Sequence, residues 1–203
     1  MAAVVLAAGR GERFGASGPG GKLLAPLEGR PVLAHALEAV AGGLAAGVLE
    51  DAVVVAPPGE GPIAKLARAA GARTAVNEAP GLGLSSSLRR GLAALRSSTG
   101  AAIVLLGDQP RVRVDVLAAL VRAWHEQRAR LVRPRYAQAP GRLGHPVLVD
   151  RSVWRLAQRL EGDAGFGALL QPGSPGVLVI DVAGDNPDVD TPADLHTLEG
   201  SSS

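Results

Sequence analysis

The chain has 203 residues, a formal net charge of +2 and no cysteine. This length favours a single domain, which we predict over residues 1–200 with a flexible tail at 201–203. The near-balanced charge and the scatter of the two tryptophans, one tyrosine and two phenylalanines argue against a nucleic-acid partner. The absence of cysteine excludes disulfides and cysteine-bound zinc. No apolar run is long enough to span a bilayer, so we expect a soluble, cytoplasmic protein without a membrane partner.

Short apolar runs that end at glycine or proline predict strands along most of the chain. These strands cover residues 4–8, 51–56, 73–76, 101–106, 131–135, 146–149 and 177–181. Helical spacing of apolar residues predicts helices over 32–40, 63–70, 88–95, 114–127, 151–160 and 165–170, and a last helix with Thr191 as its N-cap. Because strands and helices alternate over about the first 130 residues, we predict an α/β fold, a single-domain Rossmann-like three-layer α/β/α sandwich with a mainly parallel sheet.

A glycine-rich loop follows the first predicted strand and ends at Lys22. Gly9 and Gly11 let backbone N–H groups approach a phosphate, and Arg13 and Lys22 add positive charge. Lys22 and Lys65 are the two lysines among 21 basic residues, and a compact ammonium suits a phosphate contact. The alternative is a loop that only turns the chain. The loop is not a Walker motif, and it matches the dinucleotide fingerprint only in part.

Acidic residues follow two other segments. Asp108 comes directly after the apolar run 101–106, and Asp188 and Asp190 are two residues apart, so in extended chain both face one side. Ligands of parallel sheets bind at the carboxyl ends of the strands, so we expect these acids to complete a divalent-metal site there. The alternative is that Asp108 caps a turn and that the pair caps a helix. A second loop, residues 79–88, combines glycines with serines and suits a base or ribose.

These motifs together resemble the molybdenum cofactor nucleotidyltransferases, which belong to the MobA-like NTP transferases. The resemblance lies in Leu6–Gly15 followed by Lys22–Leu24, and in Gly81–Leu88, Gly107–Pro110, Gly144–Val147, Gly162–Gly165 and Asp188–Leu195, which occur in the family's order. Leu-Ala-Ala-Gly together with Gly-Asp-Gln-Pro resembles the cytidylyltransferase branch. The resemblance implies a fold of the nucleotide-diphospho-sugar transferase type, and transfer of CMP from CTP to molybdenum-bearing molybdopterin with release of pyrophosphate.

The resemblance also implies roles for individual residues. Lys22, Arg13 and Asp108 would be catalytic. The nucleotide-binding residues would be Leu6, Ala7, Ala8, Gly9, Gly11, Arg13, Lys22, Gly81, Gly83, Ser85, Ser86 and Asp108. His145 and Asp163 would bind the acceptor, and Asp108, Asp190 and the weaker candidate Asp188 would hold Mg²⁺. The implied partners are CTP, a molybdopterin-type acceptor, and the receiving molybdoenzyme or its chaperone.

One segment departs from the family pattern. Residues 16–21 lengthen the connection to Lys22, so the loop either bulges and still delivers the lysine or binds the triphosphate differently. Three alternatives to the molybdopterin cytidylyltransferase function stay open. They are a nucleotidyltransferase for another phosphorylated acceptor such as a sugar phosphate or phospholactate, an NAD(P)-dependent oxidoreductase, and a non-catalytic carrier of a pterin cofactor.

Overall fold

A computed structural model describes residues 1–9, 14, 21–59 and 61–200. The strands are β1 Ala2–Leu6, β2 Pro26–Leu27, β3 Arg30–Pro31, β4 Asp51–Ala56, β5 Arg73–Val76, β6 Ala101–Leu106, β7 Leu131–Tyr136, β8 Val147–Asp150 and β9 Val177–Val182. The α-helices are α1 Val32–Ala45, α2 Pro62–Ala69, α3 Leu84–Ala93, α4 Val114–Gln127 and α5 Pro192–Gly200. Shorter 3₁₀ helices occupy Gly21–Leu24, Pro80–Leu82, Arg151–Arg159 and Phe166–Ala168.

Seven strands form one twisted layer in the order β5-β4-β1-β6-β8-β7-β9. The strand β8 runs antiparallel to both of its neighbours, and the other pairs in this sheet are parallel. The short strands β2 and β3 form a separate antiparallel hairpin. The predicted mainly parallel sheet is therefore confirmed.

Alternation along the strands builds a core on each face of the sheet. Ala3 and Val5 of β1 pack with α1 and α4 on one face, whereas Val4 packs on the other face with α3 and the 3₁₀ helix at 151–159. Successive strand side chains point to opposite faces, so strands buried on both sides read as continuous apolar runs. The result is the predicted three-layer arrangement. A third, smaller cluster joins α5 to the β2–β3 hairpin.

Several predicted boundaries differ from the observed ones. β1 begins at Ala2, α3 begins at Leu84 rather than 88, and the helices predicted at 151–160 and 165–170 are 3₁₀ segments. Helix α1 runs on through Gly42 and Gly43 to Ala45. A Cβ at Gly42 would lie 2.7 Å from Val114, and one at Gly43 would lie 2.9 Å from Leu49, so these glycines permit close packing rather than end the helix.

The domain bounds 1–200 stay a prediction, and the predicted tail at 201–203 lies outside the described residues. Among the helices of the described ranges, none has the length and apolarity that crossing a membrane requires.

Candidate active site

The chain changes direction across the sheet at β1, because β4 pairs with one edge of β1 and β6 with the other. Helices α1 and α3 pack on opposite faces there. In sheets of this kind the ligand crevice lies beyond the carboxyl ends of the strands at such a point, which here are those of β1 and β6. Two backbone hydrogen bonds hold the loops at this edge. Gly107 N donates to Leu6 O at 3.0 Å, and Ala7 N donates to Val55 O at 2.9 Å.

Lys22 lies at this edge between two carboxylates. Its Nζ is 2.6 Å from Asp108 Oδ2 and 2.8 Å from Asp190 Oδ1. The Lys22 side chain is 14% exposed and that of Asp108 is 19% exposed, so the pair is shielded from bulk water. Burial acts to lower the pKa of Lys22, but Asp108 and Asp190 outweigh it and the pKa is raised. The lysine is therefore a fixed cation held by two acids.

The other oxygen of Asp108 has no such partner. Its Oδ1 is buried and makes no hydrogen bond to any described residue. Burial raises the pKa of Asp108, and the attraction of Lys22 opposes that rise. A buried carboxylate oxygen without a donor is costly unless a ligand satisfies it. Divalent cations prefer oxygen ligands, so this oxygen is a candidate cation ligand.

The segment that carries Asp188 and Asp190 is held against Asp108. Val189 N donates to Asp108 O at 2.9 Å. Asp190 then reaches Lys22, whereas Asp188 Oδ1 accepts a 2.8 Å hydrogen bond from Gln109 Nε2 and Asp188 Oδ2 lies 3.5 Å from an Arg142 nitrogen. The carboxylates of Asp188 and Asp190 therefore have different partners, although they are only two residues apart.

The side chain of Asp194 caps the start of α5, and the Thr191 hydroxyl donates to it at 3.0 Å instead of accepting a helix N–H as the predicted N-cap would. Thr191 precedes Pro192, and Asp194 Oδ2 accepts hydrogen bonds from the backbone N–H of Asp190 at 2.9 Å and of Thr191 at 2.7 Å. Asp190 is therefore not needed as a cap, and the helix start fixes the direction in which its side chain leaves the backbone.

The second glycine loop meets the segment 162–163 at close range. Gly83 has φ +84°, and a Cβ there would lie 2.4 Å from the Gly162 backbone carbonyl carbon. Leu84 N donates to Asp163 Oδ1 at 3.1 Å, and Ser85 N donates to Gly162 O at 2.9 Å. These contacts cap the first turn of α3 from a distant part of the chain.

Asn77 supports the same loop from below. Its Nδ2 donates to Ser86 Oγ at 2.8 Å and to Ser87 Oγ at 2.9 Å, and Ser86 Oγ donates in turn to Gly83 O at 2.8 Å. The hydroxyl of Ser86, in the first turn of α3, therefore already has hydrogen-bond partners within the protein. The hydroxyl of Ser85 is buried and makes no hydrogen bond to a described residue.

A cavity of about 330 Å³ lies beside Asp188. Its lining includes the side chains of Gln109, Tyr136, Arg142, His145 and Asn186. Asn186 Nδ2 donates to Gln109 Oε1 at 3.1 Å, and Tyr136 Oη donates to His145 O at 2.9 Å. Burial, together with Arg133, lowers the pKa of His145 to about 4, so its imidazole is neutral at physiological pH.

The structure brings Lys22, Asp108 and Asp190 together, and it places Asp188 and His145 next to them on the cavity side. Leu6, Ala7, Ala8 and Gly9 lie at the end of β1 at the same edge. Gly81 and Gly83 precede α3, and Ser85 and Ser86 lie in its first turn, which Asp163 caps. The predicted site residues Gly11 and Arg13 lie outside the described residues, as does most of the lengthened segment 16–21.

Sequence reasoning did not single out Gln109, Asn77 or Asn186 as site residues. The sequence could have identified Gln109, because this residue belongs to the Gly107–Pro110 motif that resembles the family. Asn77 and Asn186 act through partners 9 and 77 residues away, respectively, and no local pattern marks such contacts.

A mainly parallel sheet with a buried cation and two carboxylates at the carboxyl ends of its central strands defines a nucleotide-binding α/β domain suited to phosphate chemistry. The sequence profile described as "MobA-like NTP transferase domain" matches residues 3–177. The chain therefore belongs to the family of MobA-like NTP transferase domains, and the resemblance seen in its motifs is confirmed at that level.

Characterised relatives are similar over part of their length. The bifunctional protein GlmU of Parvibaculum lavamentivorans is 34% identical over 158 residues, which are 77% of this chain and 33% of that protein. The 2-C-methyl-D-erythritol 4-phosphate cytidylyltransferase of Streptomyces coelicolor is 40% identical over 129 residues, which are 62% of this chain and 46% of that enzyme. The chain thus matches about a third to a half of the length of these relatives.

Among solved structures, that of Rv0371c from Mycobacterium tuberculosis is similar over nearly the whole chain. It is 29% identical with a TM-score of 0.76, and the match covers 98% of each chain. A further structure of Rv0371c is a complex with manganese, with 28% identity, a TM-score of 0.74 and coverage of 98% of this chain and 97% of that one.

Proposed function

We propose that this chain transfers CMP from CTP to molybdenum-bearing molybdopterin and releases pyrophosphate. The observation that carries the proposal is Lys22 held between Asp108 and Asp190 at 2.6 and 2.8 Å. Nucleotidyl transfer is driven by positioning and by neutralising charge on the triphosphate, which needs a cation and carboxylates that hold a divalent metal. Membership in the NTP transferase family supports this chemistry over the oxidoreductase and carrier alternatives.

The residues present fit a divalent cation. Asp108 Oδ1 is a buried oxygen without a donor, and Asp190 lies across Lys22 from it. Within the described ranges, no three acidic or histidine side chains gather into a ready-made cation cage. Mg²⁺ is commonly bound through one or two carboxylates together with substrate phosphates rather than by an all-protein cage. The manganese complex of Rv0371c adds support for a divalent cation, and we propose Mg²⁺ held by Asp108 and Asp190.

The chain's own groups then have distinct tasks. Asp108 and Asp190 would hold the divalent cation, which when bound would supply positive charge against the triphosphate. Lys22 would leave its two carboxylates and pair with the triphosphate, and the backbone of Ala7 to Gly9 and the loop 81–86 would hold the nucleoside. An acceptor phosphate oxygen forms a bond to the α-phosphorus while the α–β phosphoanhydride bond breaks, and its electron pair leaves with pyrophosphate.

The choice of CTP rests on likeness of sequence. Leu-Ala-Ala-Gly at residues 6–9 and Gly-Asp-Gln-Pro at 107–110 resemble the cytidylyltransferase branch of the molybdenum cofactor family. The 40% identity with a cytidylyltransferase over 129 residues points to the same nucleotide. In this proposal the receiving molybdoenzyme or its chaperone is the partner that takes up the product.

A second acceptor class has an observation of its own. The cytidylyltransferase from Streptomyces coelicolor is named for a phosphorylated polyol, 2-C-methyl-D-erythritol 4-phosphate. The cavity beside Asp188 is lined by the side-chain amides of Gln109, Gln138 and Asn186, which suit a polyol as well as a pterin. A phosphorylated polyol or sugar is therefore the second candidate acceptor.

The test is pyrophosphate release with each of the four NTPs, Mg²⁺ and molybdenum-loaded molybdopterin. We expect release with CTP and a loss of at least about 10²-fold in Asp108→Ala, because the metal-binding carboxylate is gone. Asp115→Ala is the matched control, since this exposed acid pairs with Arg113 outside the crevice. The same assay with 2-C-methyl-D-erythritol 4-phosphate and with sugar phosphates addresses the second candidate.

Each outcome has a distinct reading. Release with GTP in place of CTP would retain the transfer chemistry and overturn the choice of base. Release with a polyol phosphate and not with molybdopterin would replace the acceptor. No release from folded protein with any NTP and any of these acceptors would refute the proposed function.

A further inference from the structure

Arg133 stands out among the arginines of the cavity side because it has no acidic partner. It lies in the middle of β7, partly buried, and no carboxylate of the described residues is within ion-pair distance of it. Its Nη2 donates to Leu143 O at 3.1 Å, while its Nε is buried and makes no hydrogen bond to a described residue. Arg135, two residues along the same strand, is exposed and forms a bidentate pair with Asp181 at 2.6 and 3.1 Å.

The guanidinium of Arg133 packs closely against the backbone at Gly167. A Cβ at Gly167 would lie 2.6 Å from Arg133 Nη1, so any other residue there would push the guanidinium aside. Burial lowers the pKa of Arg133, and no opposing carboxylate offsets that effect. The guanidinium nevertheless remains charged at any physiological pH. A partly buried charge without a counter-ion and with an unsatisfied N–H is unfavourable until a ligand supplies the missing acceptor.

The position of Arg133 connects it to the cavity. Leu143, which accepts its hydrogen bond, lines the cavity together with Gly144 and His145. His145 interacts electrostatically with Arg133 and with Asp188, and Asp188 is tied to Gln109 beside Asp108. The acidic groups of the cavity have basic or amide partners already, Arg111 for Asp185 and Gln109 for Asp188. Arg133 is not itself a lining residue of the cavity; it lies behind the cavity wall at Leu143, and among the described residues it has no acidic partner.

We infer that Arg133 is an anion-binding residue that holds a phosphate group of the acceptor at the cavity beside His145. A phosphate monoester offers several strong acceptor oxygens, which match the free Nε–H and the remaining N–H groups of the fork. The identity of the acceptor rests on the proposed function, whereas the anion site itself does not.

The first experiment observes Arg133 directly by NMR of its Nε–H group in ¹⁵N-arginine-labelled full-length protein, assigned by its loss in Arg133→Lys. The probes are inorganic phosphate and phenyl phosphate, with sodium chloride at matched ionic strength as the salt control. We expect a saturable shift of the Arg133 signal with a Kd of about 1–10 mM, while the Arg135 signal stays in place. An Arg133 signal that phosphate moves no more than chloride does would overturn the inference.

The second experiment separates an acceptor site from a site for free phosphate. Once an acceptor that releases pyrophosphate is known, Arg133→Gln should raise its KM by about 10- to 100-fold with little change in kcat or in the KM of the nucleotide. Arg133→Lys should recover part of the loss, and Arg135→Gln is the matched control on the same strand. An unchanged acceptor KM in Arg133→Gln would refute the acceptor assignment even if inorganic phosphate binds.

The two proposals fail in different ways. If no acceptor yields pyrophosphate, the proposed function fails while the NMR titration still decides whether Arg133 binds phosphate. If pyrophosphate is released normally and the Arg133 signal does not respond, the proposed function stands and the anion site is refuted.

Discussion

The two sides of the crevice hold their cations in opposite ways. On the nucleotide side, Lys22 contacts two carboxylates at 2.6 and 2.8 Å, whereas on the cavity side Arg133 contacts no described carboxylate and keeps a buried N–H unsatisfied. A cation that already has acidic partners must exchange them to bind an anionic ligand, but an unpaired cation is ready to bind. We therefore expect Lys22 to exchange ion pairs when an anionic ligand binds, whereas Arg133 would bind an anion without such an exchange.

Lys22→Met breaks the nucleotide side and has the largest expected effect. Turnover should fall by about 10²- to 10³-fold, since the group that pairs with the triphosphate is lost. Binding of Mn²⁺ alone should instead become about tenfold tighter, because the ammonium no longer competes for Asp108 and Asp190. Electron paramagnetic resonance titration of Mn²⁺ measures the affinity, with circular dichroism as the check of folding.

Lys65→Met is the matched control, because Lys65 is exposed on α2. Mn²⁺ affinity that is unchanged or weaker in folded Lys22→Met would contradict an exchange of partners at the carboxylates. In that case Lys22 would be a structural cation that stays in place when the nucleotide binds.

Gly83→Ala tests the contact that joins the nucleotide loop to the segment 162–163. The new Cβ would meet the Gly162 backbone at 2.4 Å, and Gly83 has φ +84°, so the free energy of unfolding should fall by about 3 kcal/mol. Urea unfolding measures it. Gly81→Ala in the exposed part of the same loop is the comparison, and an equal loss in both variants would argue against the specific contact.

The pH dependence of stability tests whether burial keeps His145 neutral in the native protein. The pKa of His145 is lowered from 6.5 to about 4, so between these values the unfolded chain binds a proton that the native state does not. The free energy of unfolding should therefore decrease by about 2 kcal/mol as pH falls through this window, because protonation of His145 favours the unfolded chain. Urea unfolding at pH 7 and pH 4.5 should show a smaller loss in His145→Asn than in the native protein.

His196→Gln, a substitution of a histidine that is 83% exposed, controls for replacing a histidine as such. If His145→Asn retains the full loss of stability, then protonation of other groups accounts for it and His145 is not held neutral by its surroundings.

Asp163→Ala has the smallest expected effect. The variant removes the 3.1 Å hydrogen bond from Leu84 N and so leaves the first turn of α3 with one donor fewer satisfied. Losing such a cap costs about 1 kcal/mol, which is measurable by urea unfolding. A fall in acceptor binding without any loss of stability would instead support the role that the family resemblance implies for Asp163.

The predictable part of this protein is local in sequence. The strands at 51–56 and 101–106 are buried and have the predicted bounds, because each is an apolar run that ends at turn residues. The edge strand at 73–76 also has its predicted bounds, although its first two residues are exposed. The 3₁₀ segments at 151–159 and 166–168 were predicted only as helical, since the same apolar spacing serves either helix and packing selects the tighter one. Asp108 could be recognised from the sequence because it follows the apolar strand β6 after a single glycine.

The pattern of residue types along the chain determined the strands, most of the helices, the glycine loops and the acids at the strand ends, because backbone preferences and burial act over a few residues. The tertiary structure alone decided which charges meet. Lys22 and Asp190 are 168 positions apart, and Asp163 caps a helix that begins 79 positions earlier. The unpaired state of Arg133 likewise depends on the absence of a neighbouring acid in the described structure, and no sequence pattern encodes a contact that is not made.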